Sequence, residues 1–130
     1  MQDRPTAVEL LNAVRGFIEQ DLLPDLQGRK RFHALVAANV LAIVARELED
    51  EEPGLAAEWQ RLRELLAVPD AAPPARLTEL RATVRTLTER LVARIRAGDA
   101  DAGPFAAAVR AHVRATVAEK LRIASPPRGR

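Results

Sequence analysis

RKRFHALVAANVLAIVARELED, Arg29 to Asp50, decides the fold. It lies within the longest run without Gly or Pro, residues 29–52, so nothing in it interrupts a helix. Phe32, Val36, Val40, Ile43 and Val44 recur at helical spacing, and Leu35 and Leu48 widen the stripe. That pattern predicts a core-facing helix. Asn39 falls among these apolar positions, and a buried amide must find partners for its carbonyl and its two N–H donors. The expectation is a structural amide bonded to a loop or helix end; the alternative is a partner-facing role. His33 stands at the stripe edge without a second ligand nearby, which favours packing or surface placement over metal binding.

The charges at the two ends run against the helix dipole. Arg29, Lys30 and Arg31 stand where acids are favoured, and Glu47, Glu49 and Asp50 where bases are. Each cluster suits the end of the neighbouring segment instead, Gly28 closing one and Pro53 opening the next. The rival reading makes Arg29 to Arg31 an anion or partner site.

Working outward, Thr6 and Glu9 form a T-x-x-E capping box behind Pro5. Val8, Leu11, Val14 and Ile18 follow as a stripe, so a first helix is expected to about Leu22, ended by Pro24. Leu22, Leu23 and Leu26 anchor a turn, and Gly28 suits a left-handed terminus. Pro53 and Gly54 mark a short connection, after which Leu55, Trp59, Leu62 and Leu66 define another helix with Trp59 as its core anchor. The Val68 to Pro74 segment is a loop. Leu77, Leu80, Val84, Leu87 and Leu91 alternate in threes and fours, extended by Ile95, with Arg81, Arg85, Glu89, Arg90, Arg94 and Arg96 on the solvated side. Gly98 to Gly103 is a turn. Pro104 opens a last helix in which Phe105, Val109, Val113, Val117 and Leu121 face inward, with Arg110, Arg114, Lys120 and Arg122 outside. The expected fold is all-α: a compact bundle of four main helices plus short helical turns, its core made by the central helix and the Leu77 helix. A single domain over residues 1–124 and a disordered tail over 125–130 are expected.

With 130 residues and 48% apolar composition the chain has enough material for one core. No apolar run approaches the roughly 20 residues that span a bilayer, and the N-terminus lacks a signal-peptide pattern. A cytoplasmic protein is expected. Zero Cys removes disulfides and thiol chemistry. Net charge is only +2, with opposite charges interleaved, so nucleic acid is not the expected partner. No Gly-rich phosphate loop, nucleophile elbow or acid–base pair stands out, and no full set of catalytic roles can be assigned. No catalytic, cofactor or metal residue is expected in the chain.

The opening, RPTAVELLNAVRGFIEQDLLPDLQGRKRFHALVAANVLAIVARELE, resembles the LvaB-like small proteins of bacterial 4-hydroxyacid catabolism. The matching motifs are Pro5 to Leu11, Gly28 to Asn39 and Ile43 to Glu47, and the F-H-x-x-V-A-A-N string is the most specific. The segments LRATVRTLTERLVARIRAGDAD and HVRATVAEKLRIASP are also similar. The resemblance implies a non-catalytic accessory subunit of an aminoglycoside-phosphotransferase-like kinase that phosphorylates a 4-hydroxyacyl-CoA. An acyl-CoA dehydrogenase-like enzyme acts after it. ATP, Mg²⁺ and acyl-CoA then belong to the partner. Arg29, Phe32, His33, Asn39, Arg46 and Glu47 match the motif. The expected partner-binding residues are Arg29, Arg31, His33, Arg46 and Glu47, with Phe32 and Asn39 structural. The alternative is a helical adaptor or a weak nucleic-acid-binding module.

Overall fold

The computed structural model describes residues 3–69 and 71–126. Four α-helices follow in order: α1 Ala7–Phe17, α2 Gly28–Leu65, α3 Leu77–Arg96 and α4 Gly103–Ala124. No strand occurs among the described residues, so the fold is all-α, as expected. The chain packs as two units, residues 1–50 and 51–130, and their boundary lies within α2.

The first unit begins with the capping box. The Glu9 amide donates to Thr6 Oγ1 at 3.2 Å, and the Thr6 amide donates to Glu9 Oε2 at 2.7 Å. Two of the orphan N–H groups at the helix start are thereby satisfied. The helical path continues through a π-helical turn, Ile18–Leu22, into a 3₁₀ turn, Leu23–Asp25, at Pro24. Leu23 is buried there, whereas Leu22 is exposed. Gly28 enters α2 with φ +59°, the left-handed conformation expected of it.

Two expectations for α2 are overturned. Pro53 and Gly54 do not separate two helices: α2 runs unbroken for 38 residues with Pro53 inside it. A proline there removes one backbone donor and crowds the preceding turn. Downstream packing holds the helix on course, because Trp59, Leu62 and Leu66 lock its second part into a core. The second correction concerns Phe32, Val36, Val40, Val44 and Leu48, which are all exposed. The buried positions of this stretch are Ala38, Ala42 and Ala45. Small side chains at spacings of four and three form a face that lets a neighbour approach closely, and that face is the covered one.

The second unit holds the main core: Trp59, Leu62 and Leu66 from the α2 region, Leu80, Val84, Leu87 and Leu91 from α3, and Val109 from α4. Leu62 has 0% exposure. Trp59 is therefore the core anchor expected, and the α3 stripe faces inward from Leu80 to Leu91 as its spacing predicts, whereas Ile95 at its end is exposed. The central helix contributes less than expected, and the later part of α2 takes its place. Arg81 and Arg94 are not simply solvated. Arg81 Nε lies 2.5 Å from Glu51 Oε1, and Arg94 Nε lies 2.8 Å from Asp99 Oδ2. The Arg94 guanidinium also stacks 3.9 Å from the centre of the Phe105 ring.

In α4, Ala106, Val109 and His112 are buried, while Val113, Val117 and Leu121 are exposed. This corrects the expected inward stripe. A strict spacing of four winds about 40° per step around a straight helix, so Phe105 and Leu121 stand about 160° apart. One neighbour cannot cover both. Helix α4 ends at Ala124, and residues 127–130 of the expected tail, like Asp70 in the loop, lie outside the described residues.

Candidate docking face on α2

The motif residues of the first unit converge on one surface of α2. Ala38 marks the covered side. Val36 and Val40 each stand two residues from it, about 200° around the helix. Arg29, His33, Val36, Val40, Ile43 and Glu47 follow one another at spacings of four, three, four, three and four. They form a single seam on the side away from Ala38. Phe32, 63% exposed, and Asn39, also exposed, flank it.

Geometry separates the basic residues by role. Arg31 Nη1 donates to the Leu23 carbonyl oxygen at 2.5 Å, satisfying the preceding 3₁₀ turn. Arg31 is therefore the residue that serves the neighbouring helix end. Arg29 instead donates from Nε to His33 Nε2 at 3.3 Å. The His33 ring meets Phe32 edge-on, with centroids 5.7 Å apart and planes at 67°. Arg29, Phe32 and His33 thus make a small preorganised cluster at the N-terminal end of the seam. Glu47 is exposed at the other end, and Arg46 beside it is half-buried. Asn39 is no buried structural amide, because the apolar positions around it face solvent too. Phe32, likewise expected to be structural, is the most exposed large apolar side chain of the described residues.

A second polar cluster lies in the other unit. Arg61 on α2 meets Glu119 on α4 through two bonds of 2.8 Å, Nη1 to Oε1 and Nη2 to Oε2. Beside this fork a groove of about 370 Å³ is lined by Arg61, Glu64, Leu65, Ala108, Ala111 and His112. His112 is only 8% exposed, and its Nδ1 is buried without a hydrogen-bond partner. Burial and, after it, the nearby Arg61 charge push the His112 pKa down, against the smaller opposing pull of Glu58 and Glu119. The ring is accordingly neutral at pH 7. Sequence reasoning missed His112, although its spacing from Phe105 and Val109 (seven and three residues) is the signal that places it on the inward face. The burial of Arg61 against Glu119 leaves no such signal, since the two are 58 residues apart.

Among the described residues, no helix is long and apolar enough to cross a membrane. The chain matches no curated protein and no solved structure. Residues 24–127, which include all of α2, α3 and α4, match the model of a family described as Domain of unknown function (DUF6285), and the chain belongs to that family.

Proposed function

We propose that this protein is a non-catalytic accessory subunit that docks, through the exposed seam of α2, on an aminoglycoside-phosphotransferase-like kinase acting on a 4-hydroxyacyl-CoA. The observation that carries the docking role is the exposure of an apolar helix face bearing Arg29, Phe32, His33, Asn39 and Glu47 together. Exposed contiguous apolar surface is characteristic of interaction sites. The kinase as occupant rests on the LvaB-like resemblance of the same residues. ATP, Mg²⁺ and acyl-CoA bind the kinase, and an acyl-CoA dehydrogenase-like protein uses the product. The complex works in the cytoplasm. Binding to the kinase but not to its unfolded state stabilises it by mass action, which is one physical route to activation.

Affinity purification of the tagged chain from its native host tests this reading. A kinase of that class is the expected co-purifying protein, and Phe32→Ala should lose it. Recovery of nucleic acid with no kinase-like or dehydrogenase-like protein overturns the proposal in favour of a nucleic-acid-binding module.

A further inference from the structure

We propose that the protein alone covers the α2 seam with the same seam of a second copy, the two helices running antiparallel about a two-fold axis. The inference goes beyond the kinase reading and stands without it. It begins with the spacing: Arg29, His33, Val36, Val40, Ile43 and Glu47 follow the alternating four–three repeat of a helix-pairing seam. Their span is about 27 Å at 1.5 Å per residue. Val36 and Val40 at its centre are 44% and 50% exposed.

The charges select the direction. Arg29 stands at one end of the seam and Glu47 at the other, with neither in an ion pair among the described residues. The midpoint of positions 29 and 47 is position 38. An antiparallel pair centred there sets Arg29 against Glu47 of the second copy, His33 against its Ile43 and Val36 against its Val40. Each of these contacts occurs twice, as a two-fold interface requires. Parallel pairing would set Arg29 against Arg29 and Glu47 against Glu47, which repel. The Arg29 Nε bond to His33 orients the guanidinium, whose planar fork matches a carboxylate.

The flanking positions agree. On one side of the seam Asn39 meets Asn39 of the second copy across the axis. An amide carries both donors and an acceptor, so it can pair with itself. On the other flank Ala37 meets Ala37, small enough to permit close approach. The covered Ala38, Ala42 and Ala45 lie on the far side of the helix and are undisturbed.

Sedimentation velocity and light scattering on the full chain, from about 1 μM to about 1 mM, test the proposal. The mass should rise from 14.2 kDa towards twice that value, with the transition moved to higher concentration by salt. Val40→Glu should remain monomeric with an unchanged helical circular dichroism spectrum. Arg29→Glu and Glu47→Arg each place like charges at both ends, so each alone should dimerise at least about tenfold more weakly. Mixed together they should form a dimer containing one chain of each, because both ends are then complementary. A wild-type chain monomeric throughout overturns the proposal. So does a dimer that Val113→Glu dissolves and Val40→Glu spares, or a mixture that pairs no better than its components. A monomeric wild type that still captures the kinase removes the dimer and leaves the kinase reading standing.

Discussion

Arg61 and Glu119 join α2 to α4 by two parallel 2.8 Å bonds at a site where both side chains are about three-quarters covered. The guanidinium fork and the carboxylate match in shape, and the pair sits beside a histidine that carries no charge at neutral pH. Glu119 holds the Arg61 pKa above its ordinary value, so the guanidinium keeps its charge. Glu119→Ala leaves the guanidinium without its partner and is expected to destabilise the domain by about 1–3 kcal/mol. Urea denaturation of Arg61→Ala, Glu119→Ala and the double variant measures the coupling.

His112 makes stability depend on pH. Its folded pKa lies below the ordinary 6.5. The unfolded chain therefore binds the proton more readily, and stability falls as pH drops from about 6.5 through the folded pKa. Below both values the loss is complete. His112→Leu should flatten the melting temperature between pH 7 and pH 5 at roughly constant values, while the wild type declines there. An identical decline in both chains would assign the effect to other groups.

Leu62 and Phe32 form a contrasting pair of apolar residues. Leu62 is fully buried, so Leu62→Ala should cost about 2–5 kcal/mol through lost burial and a cavity. Phe32 is 63% exposed, so Phe32→Ala should change stability by no more than about 0.5 kcal/mol. Its effect should appear instead in kinase capture and in self-association.

Pro53 sits inside α2 and is exposed. Pro53→Ala restores the missing backbone donor and removes the ring's crowding. A gain of roughly 1–3 kcal/mol is expected by thermal denaturation, set by how far the helix has already relaxed around the ring.

Arg31 and Arg29 divide the two roles open to the basic run. Arg31→Ala removes the donor to the Leu23 carbonyl and should lower stability by about 1 kcal/mol. Arg29→Ala and Asn39→Ala should leave the melting temperature nearly unchanged, since both residues are exposed. Coupled kinase activity is expected to fall for Arg29→Ala and His33→Ala. If it does not, the exposed Val113, Val117 and Leu121 face of α4 becomes the next docking candidate.

Local chemistry determined much of this protein. The Thr6–Glu9 box, the left-handed Gly28, the inward α3 stripe and the Trp59 anchor all follow from neighbours within a few turns, where spacing and side-chain type suffice. What the sequence could not decide was which face of α2 is covered. Valine at every fourth position and alanine at spacings of four and three are both apolar, and both satisfy helical spacing. Only tertiary packing put Ala38, Ala42 and Ala45 inside and left Val36 and Val40 in solvent, because small residues admit a closer neighbour. The same holds for Pro53, whose local tendency to end a helix yields to the core that Trp59 and Leu62 build downstream. His112, Arg61 and Glu119 became a cluster for the same reason: their partners are distant in sequence, and only the folded arrangement of α2 and α4 brings them within reach.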